Sequence, residues 1–309
     1  MFDPVILFFL FGLVAGLSRS ELRLPGAVYE LLSMVLLIAI GLKGGIELAR
    51  QSLGDLLPQL LAVLALGVLL PLLAYWPLRW RFARADAASI AAHYGSVSVG
   101  TFAVAAAYFA SRGIEFEAHM PVLLAVLEIP AILVGILLAR GFSRDLRIGA
   151  IAHEAFLGKG IMLLLGGLAI GWIAGEEGIT PLKPLFFDLF KGVLALFLLE
   201  MGLITAAQAG SLRQHGLFLI GFGIVMPLFS ALLGTGLGLW LGFSTGGVAM
   251  LATLAASASY IAVPAAMRIS VPQANPGLSL AAALGVTFPF NVLIGIPLYH
   301  RLAEQARMF

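Results

Sequence analysis

Long apolar segments, interrupted at short intervals by Pro, Gly and charged residues, dominate this chain of 309 residues. Its mean hydropathy is +1.05, and 61% of its residues are hydrophobic against 11% charged. A membrane-spanning helix needs about 20 apolar residues, whereas a soluble core does not use this much apolar surface. The pattern therefore predicts an all-α membrane protein with ten spans, at residues 4–18, 27–47, 55–76, 86–110, 119–139, 158–175, 185–207, 214–241, 246–268 and 277–299.

The distribution of Lys and Arg predicts how these spans are oriented. If the amino terminus lies outside, most basic residues fall on cytoplasmic connectors, among them Arg79, Arg84, Arg140, Arg144 and Arg147. Because cytoplasmic loops carry an excess of Lys and Arg, we expect this orientation, with both termini outside. The first residues, MFDPVILFFLFGLVAGL, lack a basic region and are interpreted as the first span rather than as a cleaved signal.

The chain repeats itself at a spacing of about 160 positions. Ser96-Val-Ser98 in the fourth span matches Ser257-Ala-Ser259 in the ninth. The fifth-span segment VLEIPAILVGILL aligns with VTFPFNVLIGIPL in the tenth at nearly the same offset. A repeat of five spans is odd-numbered, so the second copy must enter the membrane upside down. This pattern is typical of secondary transporters, and it predicts two inverted five-helix repeats, at 1–150 and 151–309.

Small and polar residues are concentrated in the middle of the fourth span, at Gly95, Ser96, Ser98, Gly100 and Thr101. Every backbone polar group in lipid needs a partner, so non-helical backbone survives only where protein buries it or where it lines a polar cavity. These residues predict a break, followed by a half-helix that begins near Ser98 and presents free N–H groups. The repeat predicts a second such end near Ser259. Two helix N-termini that meet at the membrane midplane would form an anion site.

Close helix packing is the alternative explanation for these residues. Ser96 and Gly100 form a small-xxx-small pair, and such pairs usually serve helix contacts. The duplicate at Ser257 and Ser259, which is followed by Pro264, favours the binding interpretation.

Four further polar residues lie within or near the apolar segments. Glu128 is a candidate for ion coupling or gating, because a carboxylate inside a membrane is costly and is seldom kept without a function. Lys43 and Glu47, spaced i and i+4, are interpreted as a pair that neutralise each other. His93 is interpreted as a packing residue.

At these positions the chain resembles a known family. The segments GLKGGIEL, GSVSVGTFAVAAAYFASRGIEFEAHMPVLLAVLEIPAI and AASASYIAVPAAMRISVPQANPG look like the sodium-dependent bicarbonate transporters of the SbtA type. The likeness covers nearly the whole length. It implies an elevator-like division into a gate domain of helices 1, 2, 6 and 7 and a core domain of helices 3–5 and 8–10. It also implies a homotrimer that takes up bicarbonate with sodium through the bacterial cytoplasmic (inner) membrane.

The resemblance also implies where the transported species bind. The substrate would lie between the two breaks and touch Gly95, Ser96, Ser98, Gly100, Thr101, Ser257, Ser259 and Tyr260. Sodium, as the coupling ion, would be held with the help of Glu128, Thr101 and Ser259.

This sequence departs from the family pattern at two places. Tyr260 stands where the family has an acid, which predicts weaker sodium dependence or a coupling site that relies on Glu128. The connector 140–158 is short, whereas relatives with a PII-like regulator carry a long loop there, so we do not expect that partner.

The sequence is also compatible with other transport functions. A sodium symporter for another anion, such as a small carboxylate carried by a bile-acid-type protein, and a passive anion channel both stay open. An intramembrane serine hydrolase is not expected, because Tyr94 rather than Gly stands two residues before Ser96 and the nucleophile-elbow pattern fails. The chain has no cysteine and a net charge of +2, so we expect neither thiolate chemistry nor a nucleic-acid partner. We expect no bound cofactor and no enzymatic activity.

Overall fold

The computed structural model describes residues 3–50, 53–141 and 157–308, and within these ranges the chain forms helices and connectors without a β-strand. Eight helices are long and apolar enough to cross a membrane, and two shorter apolar helices, Pro4–Leu17 and Thr245–Ala255, accompany them. The prediction of an all-α chain with many spanning helices is confirmed. Arg144, Arg147 and most of the connector 140–158 lie outside the described residues.

The helices follow one another with short connectors. In chain order they are α1 (Pro4–Leu17), α2 (Gly26–Leu48), α3 (Leu53–Arg79), α4 (Arg84–Gly95), α5 (Val99–Ala110), α6 (Met120–Arg140), α7 (Lys159–Ile179), α8 (Phe190–Ala207), α9 (Ala209–Trp240), α10 (Thr245–Ala255), α11 (Ala262–Ser270) and α12 (Pro276–Ala306). The span predicted at 185–207 becomes regular α-helix only at Phe190, after a π-helical turn at Pro184–Asp188. In α12, π-helical turns lie on both sides of Pro289, because proline lacks the N–H that a regular helix needs.

Two pairs of helices pack closely along much of their length, α2 against α7 and α1 against α8. A Cβ on Gly45 of α2 would overlap the backbone of Leu168, and a Cβ on Gly202 of α8 would overlap the backbone of Phe9. Small residues at such positions let membrane helices approach closely, which matters because lipid gives no hydrophobic drive to helix association. These four helices form one closely packed group.

The remaining long helices form two further groups, α3 with α4 and α6, and α9 with α10 and α12. In the first group Gly135 of α6 lies against Ala92 of α4, and in the second Gly234 of α9 lies against Ala252 of α10. Helix α5 contacts α10, and α4 contacts α12. The two groups therefore meet at the helices in which the sequence predicts breaks.

The contact between α2 and α7 should be sensitive to one added methyl group. We expect Gly171→Ala to destabilise the protein by about 1–3 kcal/mol, the usual cost of overpacking, because the new Cβ would overlap the backbone of Leu42. Gly166→Ala on the same helix is the matched control, since no heavy atom lies within 4 Å of its added Cβ. Thermal unfolding in detergent compares the two variants, and equal melting temperatures would contradict the packing described here.

Candidate functional site

The first break separates α4 from α5, at the place that the sequence predicts. Helix α4 ends at Gly95, and Ser96 and Ser98 have extended backbone conformations. Ser98 caps α5, because its Oγ accepts hydrogen bonds from the N–H of Thr101 at 3.0 Å and from Thr101 Oγ1 at 2.9 Å. Serine at this position satisfies a helix donor that would otherwise have no partner. The oxygen of Ser98 is thus engaged within the protein, and its own proton is what remains to offer a ligand.

The second break separates α10 from α11. Helix α10 ends at Ala255, and α11 begins at Ala262, so the six residues Ala256 to Ile261 form the connection between the two helices. The predicted second helix N-terminus is present but begins three residues after Ser259. The hydroxyl oxygen of Ser259 accepts a long hydrogen bond, 3.4 Å, from the N–H of Val263.

The two breaks are joined by hydrogen bonds that run in both directions. The N–H of Ser259 donates to the carbonyl of His93 at 2.8 Å, and the N–H of Ser98 donates to Ser257 Oγ at 2.9 Å. Ser257 Oγ in turn donates to the carbonyl of Leu254 at 2.8 Å. Backbone that would otherwise lack partners in a membrane is therefore satisfied where the two connections cross. We call this region, residues 93–101 and 254–263, the crossing.

Residues of α12 support the crossing, although they are not among the site residues predicted from the sequence. Asn291 Nδ2 donates to the carbonyl of Ala256 at 2.9 Å, and the Tyr299 hydroxyl donates to Asn291 Oδ1 at 2.7 Å. Asn291 and Tyr299 are almost fully buried. A buried amide in an apolar span could have indicated this role, because such a group requires partners.

Three buried polar atoms at the crossing have no hydrogen-bond partner among the described residues. They are Ser96 Oγ, His93 Nε2 and the hydroxyl of Tyr260. The other ring nitrogen of His93 donates to the carbonyl of Ser89 at 2.7 Å, so Nε2 is the atom that remains. Buried polar groups are normally paired, and these three give the crossing unused capacity for a polar ligand.

Tyr260 fills the space beside the start of α5. Its ring meets Phe288 edge-on, with centroids 5.6 Å apart. Its hydroxyl lies so close to Gly100 that a Cβ on this glycine would overlap it, and the ring of Phe197 lies beside the same point. The aromatic rings therefore restrict the volume next to the N-terminus of α5.

Glu128 lies in α6, two residues before Pro130, and is only 5% exposed. Among the described residues it forms neither an ion pair nor a hydrogen bond, so no such bond joins it to the crossing. The eight residues predicted for the substrate site all lie at the crossing. Glu128, which is predicted for ion coupling, is not bonded to any of them.

A cleft of about 910 Å³ opens beside α5, lined by α2, the connector 113–118 and the first turn of α8. Lys43 and Glu47 both line it, but they do not form the pair that their spacing predicts. Glu47 instead accepts from Arg50 at 3.2 Å. The prediction of a neutralising Lys43–Glu47 pair is therefore wrong, because Arg50 lies one helical turn beyond Glu47 and reaches its carboxylate.

The arrangement has the features of a carrier: spanning helices, two breaks that cross, and buried polar atoms at the crossing. A sequence model of the Na⁺-dependent bicarbonate transporter superfamily matches residues 4–304. The chain belongs to this superfamily. The suspected family is thus confirmed, and the protein is a multi-pass membrane transporter rather than an enzyme. No curated protein matches the chain in a sequence search.

Proposed function

We propose that this transporter carries bicarbonate together with sodium across the cytoplasmic membrane, and that the anion binds at the crossing. The observation that carries the proposal is Ser96 Oγ, which is buried without a partner two residues before the residue that caps α5. The N-terminus of a helix attracts anions through its N–H groups and its dipole. A buried polar group without a partner costs about 1–3 kcal/mol, and an anion at this point would offset that cost.

Oxygen atoms at the same place are suited to sodium. Hard cations prefer oxygen ligands, and Thr101, Ser257 and Ser259 bring hydroxyls while the non-helical connections bring carbonyls. No group of three His, Asp or Glu side chains gathers anywhere in the described residues. We therefore propose a cation site made of hydroxyls and carbonyls at the crossing, with Glu128 contributing to coupling through its charge.

The aromatic rings favour a small anion over a bulky one. Tyr260 and Phe197 lie against the start of α5, and Phe288 packs on the ring of Tyr260, so little volume is left there. Bicarbonate fits this restriction, and a small carboxylate is the second candidate, because it would use the same donors. A large organic anion, as carried by bile-acid-type symporters, fits it poorly.

We further propose that 1–150 and 151–309 are two inverted repeats. Helices of the first half pair with helices of the second in exchanged order, α1 with α8 and α2 with α7. Each half also has a broken helix after its third helix, α4–α5 after α3 and α10–α11 after α9. These features support a gate domain of α1, α2, α7 and α8, and a core domain of α3–α6 and α9–α12. The homotrimer and the outside location of both termini are proposed from the family resemblance and from the charge bias.

Uptake of radiolabelled bicarbonate into proteoliposomes tests the transported species. We expect accumulation that is driven by an inward sodium gradient and stops when an ionophore dissipates the gradient. Internal unlabelled bicarbonate should accelerate the entry of label, because only a carrier exchanges substrate across the membrane in this way. Uptake without such acceleration would identify a passive channel, and absence of bicarbonate uptake alongside uptake of acetate would identify a carboxylate carrier.

A further inference from the structure

The cleft beside α5 contains a balanced cluster of charges at its rim. Arg50 donates to Glu47 at 3.2 Å and also pairs with Glu176. Lys183 lies 3.4 Å from Glu176. These two cations and two acids line the cleft, and their charges compensate one another.

Two lysines in the same cleft are not compensated in this way. Lys43 on α2 and Lys191 on α8 both line the cleft and are solvent-exposed. Neither forms an ion pair with another described residue. Glu115 is the remaining acid in the lining, and it belongs to the connector after α5 rather than to α2 or α8. The lining holds four cations and three acids and therefore carries an excess of one positive charge, which Lys43 and Lys191 provide.

The lysines lie along a path toward the crossing. Tyr29 of α2 stacks on Phe197 of α8, with ring centroids 5.7 Å apart, and Phe197 lies beside Gly100 at the start of α5. With a rise of about 1.5 Å per residue, Lys191 lies roughly 9 Å and Lys43 roughly 21 Å along their helices from this aromatic contact. Since both line the same cleft, they stand at two heights above the crossing.

We propose that Lys43 and Lys191 form an anion-recruiting site, which concentrates a small anion in the cleft before it reaches the crossing. This rests on the proposed anion transport. A cleft with an excess of one sign of charge raises the local concentration of the opposite ion and its rate of entry, and the effect falls with ionic strength. Lysine suits the task, because its ammonium is a flexible point charge that attracts an anion without the bidentate geometry of arginine.

A cysteine reporter measures the potential in the cleft without requiring transport. The chain contains no cysteine, so Ala106→Cys, in the half-buried lining, places one thiol there. Its reaction with anionic methanethiosulfonate ethylsulfonate is compared with its reaction with cationic methanethiosulfonate ethyltrimethylammonium, each relative to a free thiol. We expect a ratio that favours the anionic reagent at low salt, and a decrease of about 3- to 10-fold on adding Lys43→Gln or Lys191→Gln.

Two controls separate the charge of these lysines from other effects. Lys43→Arg keeps the charge and should keep the ratio. Lys159→Gln removes one charge at the opposite end of α7, where Lys159 pairs with Glu30 at 2.7 Å, and should leave the ratio unchanged. Equal ratios in the wild type and in both glutamine variants would overturn the proposed site.

Uptake kinetics test whether the site serves transport. Lys43→Gln and Lys191→Gln should raise the KM for bicarbonate about 3- to 10-fold at low salt, with kcat unchanged, and high salt should abolish the difference. Unchanged KM in both variants, alongside normal wild-type uptake, would overturn the recruiting role. A wild type that takes up no anion would overturn the proposed function instead, while the labelling ratio would still report on the lysines.

Discussion

Gly100→Ala should reduce bicarbonate uptake by about 5- to 150-fold, the equivalent of the 1–3 kcal/mol that overpacking usually costs. The added Cβ would overlap the hydroxyl of Tyr260 and would also meet the ring of Phe197. Because Gly100 lies in the first turn of α5, the conflict would displace the helix end that we propose to face the anion. Initial uptake rates at saturating sodium measure the effect.

A second substitution makes this prediction specific. Tyr260→Phe removes the hydroxyl that the new Cβ would overlap, so the double variant of Gly100→Ala and Tyr260→Phe should recover a large part of the lost uptake. Gly192→Ala is the control, since its added Cβ meets no heavy atom within 4 Å. If Gly100→Ala transports normally, or if Tyr260→Phe brings no recovery, the contact between α5 and Tyr260 does not shape the site.

Tyr260→Asp should make transport depend more strongly on sodium. Tyrosine is neutral at pH 7, whereas aspartate would add a fixed negative charge that favours a bound cation. We expect the sodium concentration for half-maximal uptake to fall about tenfold or more, which corresponds to about 1.4 kcal/mol of added attraction. Tyr260→Phe separates the charge from the loss of the hydroxyl and should leave the sodium dependence unchanged.

The sodium dependence of wild-type uptake gives the result that would contradict a role for charge at position 260 or at Glu128. Tight, saturable sodium dependence that Glu128→Gln leaves unaffected would show that neither position 260 nor Glu128 contributes charge to coupling. Hydroxyls and carbonyls alone would then hold the cation.

The helix breaks could be predicted from the sequence because they follow from local chemistry. A continuous apolar helix is disfavoured by Gly95, Gly100 and the serines between them. The repeat at Ser257 independently predicts the second break. The capping role of Ser98 also follows, since serine before a helix satisfies its free N–H groups.

The partners of individual side chains could not be predicted, because they depend on how distant helices meet. The spacing along α2 predicts an ion pair of Lys43 and Glu47. In the structure Arg50 binds the carboxylate of Glu47 instead, and Lys43 lines a cleft. Asn291 lies 35 positions from Ala256 along the chain, and His93 and Ser259 lie in different halves of it. A buried amide indicates that Asn291 needs a partner, but spacing along the chain does not show which partner it finds. The unpaired state of Ser96 Oγ likewise becomes visible only when the crossing is assembled.

Binding of bicarbonate to purified protein, with and without sodium, tests most directly whether the anion site lies at the crossing. Ser96 Oγ has no partner among the described residues, so Ser96→Ala should not lower the melting temperature of the free protein and should raise it, because it removes a buried polar group whose lack of a partner costs stability. The account predicts that Ser96→Ala weakens bicarbonate binding by about 10-fold or more, as expected for a lost hydrogen bond to a charged group. Ser89→Ala, which removes a buried hydrogen bond to Ser279, should lower stability and leave binding intact. Wild-type affinity in Ser96→Ala would contradict the proposed site.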